Sequence, residues 1–402
     1  MNHYKVDKKT TRLYFVDAMR AWAILMMLQG HFIDGLLDNA FRDNTNLGFS
    51  IWQYFRGITA PVFFTVSGFI FTYLLVKGDT IGFHNPRVKK GIKRGLQLIV
   101  IGYLLRLNFF GLLVGQIYPE FYKIDVLHCI GLSILGIVGL YLITKARKTL
   151  LSILLLTITV LLFILEPIYS SYNFSFLPKM LANFFTKNNG SIFTILPWFG
   201  YASFGAFMAI LFTKYKNYRY LYPAAISSAL LFGIALIYGS SPLLLVLARF
   251  TKMQVLADVY FNNYLFIRLG DVFIVFAIFM LLRRFMTNAT ILKIGASTLS
   301  IYVIHFIILY GSFIGLGLYF FLHHTLAPVW AISGAILFMI SCTYLALLYE
   351  NKKAIINIKI QAIQKKALLK LDPWSLFTLK LIKIYFLKAR IYLLKLFRLV
   401  KN

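Results

Sequence analysis

The sequence predicts an all-α, polytopic integral membrane protein with about ten transmembrane helices. Three observations predict this class. The 402-residue chain is 60% hydrophobic and only 14% charged, whereas soluble domains carry about 25% charged residues. Apolar runs long enough to cross a bilayer, which takes about 20 residues, recur along the chain. Lys and Arg concentrate in every second interval between these runs, as the positive-inside rule requires.

Ten apolar runs are predicted to span the membrane. They lie at about 13–37, 54–76, 96–116, 125–144, 149–168, 191–213, 221–239, 263–282, 297–321 and 327–349. With the amino terminus inside, the cytoplasmic segments hold 32 of the 42 Lys and Arg, the exterior segments 6 and the spans 4. Both termini are therefore predicted to be cytoplasmic. The net charge of +29 is explained without nucleic acid as a partner.

The first span carries an unusual set of polar side chains. Asp17, Arg20, His31 and Asp34 share one helical face about 120° wide. Ionisable groups in hydrocarbon cost a few kcal/mol each, so they normally face a protein interior or a wet cavity. The stripe therefore predicts a functional site. A second interpretation stays open, in which Asp17 and Arg20 form a structural pair and His31 lies among lipid headgroups.

Further ionisable residues fall within or at the ends of the later spans. They are Arg56, Arg106, Asp125, His128, Glu166, Arg268, Asp271 and His305. Most belong to the exterior third of the membrane, while Arg20, Arg106 and His305 lie deeper, which is the distribution that a transmembrane tunnel would need. Arg268 and Asp271 are spaced to neutralise each other. The histidines are dispersed, so no metal site is predicted.

The segments between the spans add two hypotheses. The basic stretch 83–95, with Arg87 and Lys90, suits the binding of phosphates, although the positive-inside rule alone predicts such a loop. The exterior segments 169–190 and 240–262 are aromatic and amphipathic, and they are predicted to be re-entrant or interfacial helices over a cavity.

The tail, residues 350–402, is predicted to be separate from a transmembrane domain of residues 1–349. Asp372 and Pro373 resemble an N-cap followed by a first-turn proline. Basic residues then share one helical face about 160° wide. They are Lys380, Lys383, Lys388, Arg390, Lys395 and Arg398. Basic amphipathic helices on the anionic inner leaflet are expected, and packing against the core or a partner is the rival interpretation.

Several motifs resemble a known superfamily of membrane acyltransferases. Arg20 and His31, separated by ten residues, resemble the Arg-x10-His motif of the acyltransferase-3 family. Phe63-Phe64, Ser67-Gly68 and Phe69 in the second span resemble a further signature of that family. The segments 125–135 and 291–309 are more similar to bacterial relatives of heparan-α-glucosaminide N-acetyltransferase. The resemblance covers most of residues 12–349.

This resemblance implies a fold of ten or more helices and an acetyl-CoA-dependent O- or N-acetyltransferase. Acetyl-CoA, used as a co-substrate without a metal, would donate from the cytoplasm. The acetyl group would reach a hydroxyl or amine of a sugar or glycan outside the bacterial cytoplasmic (inner) membrane. The oligomeric state is left open, a homodimer included.

The resemblance also implies roles for individual residues. His31 would be the general base, because its pKa lies near neutrality, and Asp34, one turn away, would orient its ring. The heparan branch is expected to have Asn in place of His31 and its histidine in the first exterior loop, but residues 39–52 contain no histidine. Arg20, with Arg87 and Lys90, would hold the CoA phosphates.

The remaining candidates are assigned to substrate binding. These substrate-binding candidates are Arg20, Arg56, Ser67, Asp125, His128 and His305. Two other function classes remain open. A secondary transporter or flippase would use the same ionisable residues as ion sites, although internal repeats are not visible. A non-catalytic scaffold would use the basic tail.

Overall fold

The computed structural model describes residues 12–78 and 80–369, together with residues 378, 381, 384, 385 and 388 of the tail. The chain divides into two units, residues 1–347 and 348–402. The predicted domain boundary after residue 349 stays a prediction. Most of the predicted basic face of the tail, and the cap at Asp372-Pro373, lie outside the described residues.

The described residues are mainly α-helical. The helices are α1 (Tyr14–Leu36), α2 (Leu47–Val76), α3 (Pro86–Leu105), α4 (Phe109–Leu113), α5 (Val126–Ile143), α6 (Lys148–Ile164), α7 (Glu166–Ser171), α8 (Lys179–Ala182), α9 (Ile195–Lys214), α10 (Leu221–Ile234), α11 (Ser240–Thr251), α12 (Gln254–Phe261), α13 (Tyr264–Leu281), α14 (Ala289–Ala296), α15 (Thr298–Tyr310), α16 (Leu318–Leu322) and α17 (Pro328–Leu369). A π-helical turn, Ala235–Gly239, joins α10 to α11.

Six helical segments in the described part of the chain are long and apolar enough to cross a membrane. A seventh is added if α14 and α15, which are bent by 68° relative to each other, are counted as one broken span. The chain is therefore an integral membrane protein. The predicted count of ten spans is not confirmed, although each of the ten predicted runs contains a helix.

The differences from the predicted spans have local causes. The run 96–116 is interrupted because α3 ends at Leu105 and Asn108 caps α4, its side chain accepting a hydrogen bond of 3.1 Å from the Gly111 amide. Helix α15 ends at Tyr310, inside the predicted run 297–321, because Gly311 takes a left-handed conformation with φ +67°. Helix α6 has only 17 residues.

The exterior segment predicted at 240–262 also differs. Residues 221–251 form one continuous helical segment of 31 residues, so the boundary expected at 239 does not exist. The hydroxyl of Ser240, the first residue of α11, donates to the carbonyl of Leu236 in the π-helical turn at 2.5 Å. Only α12 forms a separate helix in this segment.

Helices α2 and α9 pack closely through small residues. A methyl group at Gly68 would collide with the backbone carbonyl of Ala202, and one at Gly205 would collide with the carbonyl of Thr65. Close backbone approach through small residues is a usual way for membrane helices to associate, because lipid supplies little hydrophobic driving force between them. The Ser67-Gly68 motif therefore has a packing role here.

A polar contact joins α2 to α13. The Tyr54 hydroxyl donates to Asp271 Oδ1 at 2.6 Å, and Arg268 Nη1 lies 2.9 Å from Asp271 Oδ2. The Arg268 guanidinium also lies over the Tyr54 ring, 4.5 Å from its centroid. The expected pairing of Arg268 with Asp271 is thus present, and the charges of these two residues are neutralised inside the protein.

The loops at one end of the bundle are tied to each other by backbone hydrogen bonds. The Phe109 amide donates to the Phe313 carbonyl at 2.8 Å, and the Phe313 amide donates to Leu107 at 3.0 Å. The Leu326 amide donates to the Leu36 carbonyl at 2.9 Å. These bonds fix the loops that surround the candidate site.

Candidate active site

A cavity of about 780 Å³ lies at the ends of α1, α2, α5 and α15, beneath the tied loops. Its volume is in the range of small-molecule sites, about 300–1,000 Å³. The polar side chains that line it include His31, Asp34, Arg56, Arg106, Asp125 and Tyr310. Charged and aromatic groups from four distant parts of the sequence therefore converge on one space.

Two histidines meet at the inner part of this cavity. His31 lies on α1 and lines the cavity, while His305 on α15 is fully buried behind it. The Nδ1 atom of His31 lies 3.2 Å from Nε2 of His305. The Nδ1 atom of His305 lies 2.5 Å from the backbone carbonyl oxygen of Tyr302. His305, predicted to bind substrate, contacts His31 and does not line the cavity itself.

Asp34 lies one helical turn from His31, and this spacing predicted a contact between the two side chains. In the described part of the chain, the Asp34 carboxylate contacts arginine side chains instead. Its carboxylate forms ion pairs with Arg56 on α2 and with Arg42, whose Nη1 lies 3.7 Å from Asp34 Oδ1. Two guanidinium groups attract the carboxylate more strongly than a neutral imidazole does. The predicted role of Asp34 in orienting the His31 ring therefore stays a prediction, and in this structure its carboxylate is held by Arg56 and Arg42.

Arg106 and Asp125 form a second ion pair in the cavity wall. Arg106 Nε lies 3.3 Å from Asp125 Oδ2, and the two side chains are 9% and 4% exposed. Asp125 also caps α5 by accepting the Leu127 amide at 3.0 Å. Arg106 lies over the Phe306 ring, 5.6 Å from its centroid. Both residues are therefore held in place before any ligand binds.

His128 lies behind Asp125 and is fully buried. Its Nδ1 atom is 2.8 Å from Asp125 Oδ1, and its ring packs against Tyr103 with centroids 4.4 Å apart. Gly102 provides the space, since a methyl group there would collide with the imidazole. His128 does not line the cavity and contacts Asp125 instead, so its predicted contact with substrate stays a prediction.

Ser67 also lies away from the cavity. It faces the small gap between α2, α5 and α9, beside Ser133 and Ala202. Helix packing is what a Ser-Gly pair in a membrane helix more often indicates, and the role of Ser67 in substrate binding stays a prediction.

Arg20 lies nearer the amino-terminal end of α1 than the cavity does. Its Nη2 atom donates to the Thr298 hydroxyl at 3.0 Å, and Nη1 lies 3.7 Å from Asp17. Met26 and Met27 are the α1 residues closest to Arg20 that line the cavity. The cavity therefore does not reach Arg20, six residues or about 9 Å farther along the helix.

Arg87 and Lys90 are exposed in the first turns of α3. Asn85 caps this helix by accepting the Arg87 amide at 2.9 Å, and its side chain donates to the Leu75 carbonyl. Neither basic side chain lines the cavity. Among the described residues, no group of three or more His, Cys, Asp and Glu side chains is placed to hold a metal ion.

The sequence prediction missed the aromatic wall of the cavity. Tyr302, Phe306 and Tyr310 line it from α15, and Tyr319 continues this wall, with its ring centroid 5.7 Å from that of Tyr310. The spacing of the three α15 residues, four apart, places them on one helical face together with His305. This four-residue spacing is visible in the sequence and could have predicted the aromatic wall. Aromatic faces of this kind suit the apolar faces of sugar rings.

The comparison with protein families supports one of the two resemblances found in the sequence. Residues 12–250 match the family model described as heparan-alpha-glucosaminide N-acetyltransferase, catalytic. The chain belongs to this family. It is therefore a member of a family of membrane acetyltransferases, while the resemblance to acyltransferase-3 stays a prediction. No curated protein matches the chain.

The family match places the cavity residues in two groups. His31, Asp34, Arg56, Arg106 and Asp125 lie within the matched residues 12–250. His305 and the aromatic wall of α15 lie beyond them. The structure thus brings a histidine from outside the matched range to the histidine of α1.

Proposed function

We propose that the protein transfers an acetyl group from acetyl-CoA to a hydroxyl or amine of an extracytoplasmic sugar or glycan. The observation that carries this proposal is the position of His31. Its ring lines the cavity, its Nδ1 atom contacts His305, and among the described residues its Nε2 atom has no polar partner. An imidazole that lines a ligand cavity, with one nitrogen supported and the other without a polar partner, suits general base catalysis.

The proposed reaction needs one proton acceptor and one leaving group. The Nε2 atom of His31 takes the proton from the acceptor hydroxyl or amine, and the resulting oxygen or nitrogen nucleophile attacks the thioester carbonyl carbon. The tetrahedral intermediate collapses with cleavage of the C–S bond. The imidazolium then returns the proton to the CoA thiolate, so His31 ends the cycle neutral.

The remaining cavity residues would hold the acceptor. Arg56 and Asp125 line the cavity as charged groups already fixed by partners, so binding does not have to order them. The aromatic wall of Tyr302, Phe306 and Tyr310 would accept the apolar face of a sugar ring. The acceptor is therefore proposed to enter between the tied loops.

The donor is proposed to approach from the opposite end of α1. Arg20, Arg87 and Lys90 would bind the CoA phosphates on the cytoplasmic side of a bacterial inner membrane, where both termini would also lie. The segment of α1 between Arg20 and Met26 must then open to the pantetheine arm. Ile24, within this segment, is fully buried in this structure.

Sidedness and transfer can be tested together in proteoliposomes. Acetyl-CoA carrying a labelled acetyl group is added outside, and glucosamine or methyl glucoside is enclosed. Release of free thiol with label on the enclosed sugar is expected, and the preferred sugar distinguishes N- from O-acetylation. Label that enters without thiol release would indicate a transporter and overturn the proposal. Asn217→Ala is the control, because Asn217 is exposed between α9 and α10 and does not line the cavity.

A further inference from the structure

We propose that His305 is a positioning residue for acetyl transfer, which fixes the tautomer of His31 and shares the proton that His31 acquires. This inference rests on the proposed function of His31. It gives His305 the part that a carboxylate commonly has beside a catalytic histidine. Asp34, the nearest candidate by sequence, is held by Arg56 and Arg42.

The tautomers follow from the hydrogen-bond partners. The carbonyl oxygen of Tyr302 only accepts, so the Nδ1 atom of His305, 2.5 Å away, carries a proton. A neutral imidazole has one N–H group, and therefore Nε2 of His305 is an acceptor. Its neighbour at 3.2 Å, Nδ1 of His31, must then donate. The Nε2 atom of His31 is left with a lone pair, on a ring that lines the cavity.

The surroundings of His305 favour this neutral form. The ring is fully buried, and its ring neighbours include Tyr302, Phe306 and Tyr310, with centroids 4.8, 6.0 and 6.4 Å away. Burial among such groups disfavours a charged imidazole. A charged His305 would instead donate to His31 and would place the His31 proton on Nε2, where it would abolish the base.

The proton movement balances across the pair. When Nε2 of His31 takes the acceptor proton, the His31 ring becomes an imidazolium whose Nδ1–H bond points at Nε2 of His305. That hydrogen bond becomes charge-assisted and strengthens as the positive charge forms. The acceptor proton leaves with the CoA thiol, and both rings return to their neutral tautomers. The Tyr302 carbonyl keeps its hydrogen bond throughout.

A matched set of variants tests the proposal. His305→Gln places an amide oxygen near the position of Nε2 and can still accept from His31. His305→Asn places its amide near Nδ1, so it can still contact the Tyr302 carbonyl but does not reach His31. Both introduce a neutral amide into the same buried position. His305→Phe keeps the ring and removes both nitrogens.

The first measurement is kinetic, on full-length protein with acetyl-CoA and glucosamine. His305→Gln is expected to lower kcat by no more than about tenfold, whereas His305→Asn and His305→Phe lower it by about 10²–10⁴-fold. The KM for acetyl-CoA stays unchanged in all three, because the donor phosphates bind elsewhere. Equal losses in the Gln and Asn variants, or full activity in the Phe variant, would overturn the inference.

The second measurement observes the tautomer without activity. Nitrogen-15 NMR of histidine-labelled protein, with the His31 signals assigned by their loss in His31→Gln, is expected to show a protonated Nδ1 and an unprotonated Nε2. The His305→Asn variant is expected to lose this preference. If Nε2 of His31 carries the proton in the wild-type protein, the inference about His305 is wrong, while the proposed function is not affected. Full turnover of His31→Ala would instead overturn the proposed function.

Discussion

The carboxylate of Asp34 forms an ion pair with the guanidinium of Arg56, and this contact joins α1 to α2 at the edge of the cavity. Arg42 is the second cation on the same carboxylate. The pairing removes Asp34 from the neighbourhood of the His31 ring, although the two residues are one helical turn apart. It leaves His305 as the hydrogen-bond partner of His31 in the described part of the chain.

The pairing predicts a mild catalytic effect for Asp34→Asn. Loss of the negative charge should loosen Arg56 and Arg42 but leave the His31 ring supported by His305. We expect kcat to fall by no more than about tenfold, against about 10²–10⁴-fold for His31→Ala. Steady-state kinetics with saturating acetyl-CoA measure both. An equally large loss in Asp34→Asn would mean that the carboxylate acts on His31 during turnover.

The contact between α2 and α9 predicts that Gly68→Ala destabilises the protein. The added methyl group would meet the Ala202 backbone carbonyl, which has no rotamer by which to move away. Overpacking of this kind costs about 1–3 kcal/mol, and thermal unfolding in detergent measures it. Gly139→Ala on α5 is the control, because nothing lies within 4 Å of the added methyl group. Equal melting temperatures for both variants would contradict the packing account.

The polar contact between α2 and α13 predicts a larger effect for Asp271→Ala than for Tyr54→Phe. The first change leaves Arg268 without its carboxylate partner inside the protein, which costs about 3–5 kcal/mol. Tyr54→Phe removes one hydrogen bond, which lowers the free energy of unfolding by about 0.5–1.5 kcal/mol. Thermal unfolding of the two variants in the same detergent gives the comparison. A Tyr54→Phe variant less stable than Asp271→Ala would show that Arg268 does not depend on Asp271.

The charge distribution predicts the sidedness of the loops. Single cysteines at Asn44 and Asn189, both exposed, should react with an impermeant thiol reagent in intact cells, whereas one at Lys89 should not. The native Cys129 and Cys342 are buried, so they give little background. Protection of the cysteines at positions 44 and 189, with labelling at position 89, would mean that the topology is the reverse of the predicted one.

The sequence predicted the fold class because hydropathy and charge patterning act locally. The all-α class and the helical location of each apolar run follow from that signal. The number of spans does not, because a cap that starts a new helix, such as Asn108, or a left-handed residue that ends one, such as Gly311, can fall inside an apolar run. The packing role of Gly68 depends on Ala202, which is 134 residues away in sequence.

The site was predicted in part for a similar reason. The polar stripe of α1 gave His31, and the family match covers its position. Which groups pair across helices depends on the tertiary fold. Asp34 meets Arg56, and His31 meets His305, 274 residues away. His128 and Ser67 were predicted to bind substrate, and in this structure neither lines the cavity, because His128 is buried behind Asp125 and Ser67 lies between packed helices.

The most direct test of the central claim is thiol release from acetyl-CoA by purified His31→Ala protein with glucosamine as acceptor, beside wild-type protein and Asn217→Ala. Binding of acetyl-CoA is measured on the same samples. We expect His31→Ala to bind acetyl-CoA as wild-type protein does but to release thiol about 10²–10⁴-fold more slowly, while Asn217→Ala behaves like wild type. Near-normal thiol release by a folded His31→Ala protein would contradict the assignment of His31 as the base.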